Sequence, residues 1–159
     1  MTQPTFPLIC ITKDKGLDLV PAENYFSKVA TSALVDTSVF QDTFLFDTNG
    51  NVWSYKQVSD KFKNNFLTKF LAKTFYNPLL DAKVIWSNVG TYQLKELQDK
   101  LKSCIDKDDD IITQFEEADV IKSSLDKATT FADILKILDK YVFAVNEVEL
   151  WKEQEGRPK

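Results

Sequence analysis

Thr43-Phe44-Leu45-Phe46-Asp47-Thr48-Asn49-Gly50-Asn51-Val52-Trp53-Ser54-Tyr55 has the outline of a β-hairpin. Two aromatic-rich runs flank Asn49-Gly50, the dipeptide that best tolerates the positive φ angles of a two-residue type I′ turn. That loop predicts Thr48 opposite Asn51, Asp47 opposite Val52, Phe46 opposite Trp53 and Phe44 opposite Tyr55. Phe44, Phe46, Trp53 and Tyr55 then share one sheet face, as two aromatic cross-strand pairs worth about 0.2–1 kcal/mol each. A lone hairpin is marginal in water, so this face needs a cover from elsewhere in the chain.

Working outward, Leu8 to Thr12 is apolar and β-branched and predicts a strand buried on both faces, with Leu17 to Val20 as a continuation or an edge. Pro21 suits a first helical position, and Tyr25, Phe26, Val29, Ala30, Ala33 and Leu34 recur at helical spacing as far as Asp36. After the hairpin, Ser59 predicts the cap of a helix to about Phe75. Its Phe62, Phe66, Leu67, Phe70 and Leu71 form the expected cover for the aromatic face. Ala82 to Val89 predicts a further strand. Thr91 then opens a helix striped by Leu94, Leu97, Leu101, Cys104 and Ile105.

The last third is helical in pattern. Asp110 is placed to cap a helix carrying Ile111, Ile112 and Phe115, and Asp119 precedes Val120, Ile121 and Leu125. Thr130-Phe131-Ala132-Asp133 has the spacing of a capping box, with Asp in place of the usual Glu, ahead of Ile134, Leu135, Leu138, Tyr141 and Val142. Residues 143–151 fit helix and strand alike, and 152–159 is a polar tail expected to fray. The fold expected is α+β: a small antiparallel sheet around the 43–55 hairpin, packed by helices, with a helical C-terminal third. No Gly/Ser/Pro tract divides residues 1–159, which predicts a single globular domain.

Composition removes several classes of function. Apolar residues make up 43% of the chain, too many for a disordered one. No apolar run is long enough to cross a membrane, and the first residues lack the charged and apolar regions of a secretory signal. Those readings predict a cytoplasmic protein with Cys10 and Cys104 reduced. There is no histidine, so the commonest general base and zinc ligand is missing. The four glycines, Gly16, Gly50, Gly90 and Gly156, are too scattered to cradle a phosphate. Arg157 is the single arginine, which argues against a nucleic-acid reader because arginine supplies bidentate recognition of phosphate and guanine.

Specific chemistry fares no better. Asp47 to Asn51 resembles a calcium loop only loosely, since an EF-hand needs Gly at position six and Glu at twelve, where this chain has Val58. Cys10 and Cys104 fall on apolar faces without a basic neighbour, the setting of packed residues and not of nucleophiles. No Gly-x-Ser-x-Gly elbow occurs. Lys61, Lys69 and Lys73 read as a solvated helix face. The expectation is a protein that is not an enzyme and takes no cofactor, no metal, no nucleic acid and no membrane.

Charge is the more telling feature. Residues 1–105 net +2 and residues 120–159 net zero, while Asp106 to Asp119 net −6 and account for the overall −4. That segment holds Asp106, Asp108, Asp109, Asp110, Glu116, Glu117 and Asp119 against Lys107. One reading is a solvated loop whose carboxylates favour the positive N-terminal end of the next helix. The other is a landing surface for a basic protein partner, because concentrated charge speeds encounter and selects partners.

From Pro7 to Tyr55 the order of strand, helix and aromatic hairpin resembles small bacterial immunity proteins of polymorphic toxin systems. The residues that carry the likeness are Pro7-Leu8-Ile9 and Phe44-Leu45-Phe46-Asp47-Thr48-Asn49-Gly50. The resemblance implies a cytoplasmic, non-catalytic protein that binds a cognate toxin domain, here one with a basic, nuclease-like surface, and blocks its active site. An adaptor or regulatory protein-binding module is the alternative, and an enzyme using paired carboxylates is a further one.

Overall fold

The computed structural model describes residues 3–73, 77–107, 112–113 and 115–142. Its centre is a five-stranded antiparallel sheet of β1 (Leu8–Ile11), β2 (Leu17–Val20), β4 (Phe44–Phe46), β5 (Asn51–Val58) and β7 (Lys83–Thr91). Across the sheet the strands run in the order β2-β1-β4-β5-β7. A second, two-stranded sheet pairs β3 (Lys28–Ala30) with β6 (Leu79–Asp81). The helices are α1 (Thr31–Val35), α2 (Phe66–Lys73), α3 (Leu94–Lys107), α4 (Ala118–Lys127) and α5 (Phe131–Tyr141). The α+β expectation holds, with the hairpin inside the sheet and α4 and α5 in the last third.

β1 is buried on both faces, as its apolar run predicts. Ile9 and Ile11 join Phe46 beneath Leu97, Leu101, Cys104 and Ile105 of α3, Ile121 and Leu125 of α4, and Ile134 and Leu138 of α5. On the opposite face Leu8 and Cys10 pack with Val20, Phe26, Leu45 and Trp53. There Phe26 meets Tyr55 at 4.6 Å and Trp86 at 5.4 Å between ring centroids. Each face therefore buries an apolar layer of its own, and the two cysteines lie on opposite sides of the sheet.

The hairpin's register differs from the predicted one. Leu45 pairs with Trp53 and Phe46 with Val52, so the loop has three residues. Asp47 is the cause. Its main-chain carbonyl accepts from Gly50 N and its N–H donates to Asn51 O, and its carboxylate accepts from Asn49 N at 2.9 Å. These bonds make a type I turn closed by Gly50 in the left-handed region, at φ +81°. One extra loop residue sends Phe44 and Phe46 to the helical face and leaves Trp53 and Tyr55 on the other.

Two helices of the sequence reading are also revised. The segment from Pro21 to Asp36 is a 3₁₀ turn, a strand and the short α1, because Val29 pairs with Leu80 in the small sheet. Gln57 holds this arrangement by donating from Nε2 to Phe26 O and Lys28 O. Sheet pairing outweighs the helical spacing there. The cover helix begins at Phe66 and not at Ser59, since Asn65 caps it by accepting from Thr68 N at 2.8 Å. Phe66, Leu67 and Phe70 of α2 are exposed, and α3, α4 and α5 cover the sheet in its place. Thr91 ends β7 and does not cap α3; the Glu96 carboxylate accepts from Gln93 N instead. The expected capping box at Thr130 and Asp133 is present in full. Residues 143–151 and the tail 152–159 lie outside the described residues.

Candidate functional site

α3 and α4 form an antiparallel pair joined through the acidic segment. Gln98 is buried between them and donates from Nε2 to Leu125 O at 2.7 Å and Ala128 O at 2.9 Å. Beside it, Lys102 bridges Asp126 at 2.8 Å and Asp99 at 3.1 Å, while Lys95 reaches both at 3.3 Å. Hydrogen bonds from Lys102, then Lys95, hold the Asp99 and Asp126 carboxyls below the usual range. Charge is balanced along this part of the seam.

At the other end of the pair the balance fails. Asp106, next to last in α3, forms an ion pair with Lys122 of α4, yet its side chain stays 61% exposed. That pair brings the end of α3 beside the start of α4, where Glu116, Glu117 and Asp119 stand. Glu117 is the N-cap residue, its carbonyl accepting from Val120 N and Ile121 N. Asp119 sits exposed in the first helical turn, where the helix dipole favours negative charge. Glu116 is half-buried, accepts from Glu117 N, and lies near enough to Lys140 to support that lysine's raised pKa, whose main cause is the Tyr141 hydroxyl. Asp108, Asp109 and Asp110 lie outside the described residues. Of the seven sequence-predicted carboxylates, Asp106, Glu116, Glu117 and Asp119 are thus brought to one end of the helix pair.

Two apolar side chains stand among them. Phe115 is 53% exposed and Val120 41%. The pattern of the sequence predicts a helix capped by Asp110 and carrying Ile111, Ile112 and Phe115. Residues 112–113 are instead a turn and 115–116 a bend, with Ile112 buried and Phe115 outside. For Val120 the signal was available: Ile121 and Leu125, four apart, already define the inward stripe of α4 and exclude it. Exposed carboxylates and exposed apolar side chains thus occur together in the stretch from Phe115 to Val120, at this end of the helix pair.

The cysteines offer no competing chemistry. Burial, and then the Asp18 charge, pushes the Cys10 thiol up to about 12. Burial also raises Cys104, against the opposing charges of Lys15, Lys100 and Lys107. Both are packed thiols. No helix among the described residues is long and apolar enough to cross a membrane. Comparison with family models, with curated proteins and with solved structures returns no match.

Proposed function

We propose that this chain is a non-catalytic binding protein, an immunity protein that neutralises a cognate toxin domain by covering its basic, nuclease-like surface or active site. The acidic end of the α3–α4 pair is the docking surface. The observation that carries the reading is the meeting of Asp106, Glu116, Glu117 and Asp119 at one end of the helix pair, with Phe115 and Val120 exposed in the same stretch. Interfaces of this kind draw specificity and encounter rate from charge, and affinity from a few desolvated apolar anchors. A cytoplasmic location belongs to the proposal, since a toxin's intracellular target is where protection is needed.

The test is co-expression with the C-terminal domain of a large toxin encoded beside this chain. Growth should be restored, and the two proteins should copurify as a stoichiometric complex. Unrelieved toxicity with both proteins soluble and separate would refute the reading.

A further inference from the structure

A second feature lies on the neighbouring face of α3, outside the proposed docking surface. The β1–β2 turn and the Asp42–Phe44 stretch meet the middle of α3 around an open cleft of about 300 Å³. Lys13 and Lys15 enter it from the turn and Lys100 from the helix, with Thr12 and Ser103 supplying hydroxyls. Phe44, Phe46, Ile11 and Cys104 form an apolar wall, on which Phe44 is 40% exposed. Asp42 is the one acid in the lining and lies 3.4 Å from Lys13, so the lining nets +2.

Backbone conformation sets this cleft apart from an ordinary lysine-bearing surface. Among the described residues, Lys15 (φ +62°) and Asp42 (φ +58°) are the non-glycine positions in the left-handed region, and both line it. Such conformations cost side-chain-bearing residues free energy and concentrate at ligand-holding sites. The β1–β2 loop closes through Lys15 N to Thr12 O and Thr12 N to Gly16 O, the same turn that Asp47 and Gly50 make. Gly50 fills the left-handed position there, and Lys15 fills it here. The strained position aims a cation at α3, where its Nζ donates to Ser103 Oγ.

We propose that this cleft binds a small phosphate monoester carrying a planar apolar group. The doubly charged phosphate matches the +2 lining, with lysines acting as point charges and Ser103 as a hydroxyl donor, while the Thr12 hydroxyl is held within the turn by Gly16. The planar group lies against Phe44 and the apolar wall.

The experiment titrates the full chain with phenyl phosphate, inorganic phosphate and benzoate, following backbone amide shifts by NMR. Phenyl phosphate should give saturable shifts confined to residues 12–16, 42–46 and 100–104, and should bind more tightly than either other probe. Lys100→Gln, on an exposed helix face, should weaken it about tenfold, as loss of one charged hydrogen bond implies. Lys15→Gly should weaken it similarly while the thermal midpoint stays equal or rises, because glycine relieves the left-handed strain. A midpoint that falls would overturn the role given to Lys15, leaving Lys100→Gln to decide the site. Inorganic phosphate binding as tightly would overturn the apolar half of the assignment, and benzoate binding as tightly the phosphate half. No saturation at millimolar ligand, shifts spread over lysines outside the cleft, or affinity unchanged in both variants would overturn it entirely.

Discussion

The indole Nε1 of Trp53 donates to the buried Asp47 carboxylate at 2.8 Å, across the hairpin that Asp47 itself shapes. That carboxylate also accepts from Asn49 N and Asn51 N at 2.9 Å each and from the Asn51 amide. The Asp47 carbonyl receives the Tyr92 hydroxyl at 2.6 Å, tying the turn to the β7–α3 connection. Trp86 differs, since its Nε1 is buried with no partner among the described residues. The two tryptophans should therefore respond differently to the same change. Trp53→Phe should cost more stability than Trp86→Phe by about 1.5–3 kcal/mol, the value of a hydrogen bond to a charged acceptor. Urea unfolding of the two variants measures the difference.

Acid should act through the same carboxylate. Burial would raise the Asp47 pKa, but the hydrogen bonds from the Asn51 N–H, the Trp53 indole, the Asn51 amide and the Asn49 N–H outweigh it and hold the group below its ordinary value. A depressed folded pKa gives stability that is complete above the unfolded value of about 3.9 and is lost as pH falls through the folded one. Asp47→Asn should thus be the less stable protein at neutral pH and lose less on acidification below about pH 4 than the parent does. Parallel thermal melts across that range follow the gap as it narrows.

Gly50 is the left-handed residue of the hairpin turn, at φ +81°. Gly50→Ala should lower stability by about 1 kcal/mol, since the left-handed conformation penalises a Cβ. The nearest atom an added Cβ would meet is Tyr92 O at 3.6 Å, so the cost is conformational and not steric.

The capping box of α5 carries a comparable energy. Thr130 Oγ1 accepts from Asp133 N at 3.1 Å, and the Asp133 carboxylate accepts from Thr130 N at 3.0 Å and Thr129 N at 3.1 Å. Thr130→Ala should cost about 1 kcal/mol in urea unfolding.

How much of this was legible in the sequence depends on the range of the interactions involved. β1, the α3 stripe from Leu97 to Ile105 and the Thr130–Asp133 box are set by local pattern and appear as read. The hairpin is legible, but Asn49-Gly50 signals a two-residue loop, whereas the Asx-type bond from Asn49 N to the Asp47 carboxylate lengthens it by one residue and puts Phe44 and Phe46 on the face opposite Trp53 and Tyr55. Between Pro21 and Asp36 the decisive partner, Leu80, is distant in sequence, so helical spacing misleads. The acidic segment could be read as a composition, whereas its grouping with Asp106 depends on the antiparallel packing that the Lys122 pair records. The cleft at Lys15 was invisible because its walls come from a turn, a loop and a helix far apart in the chain.

The central claim is that the acidic end of the α3–α4 pair docks a basic toxin domain. The most direct measurement is the association rate of that domain with the parent chain and with Glu117→Lys/Asp119→Lys, taken across a range of salt. Both positions are exposed, and Asp106 is spared because its pair with Lys122 is structural. The expected result is an association about tenfold slower at low salt, with a flatter salt dependence and an unchanged fold by circular dichroism. Equal rates and equal salt slopes for the two proteins would contradict it.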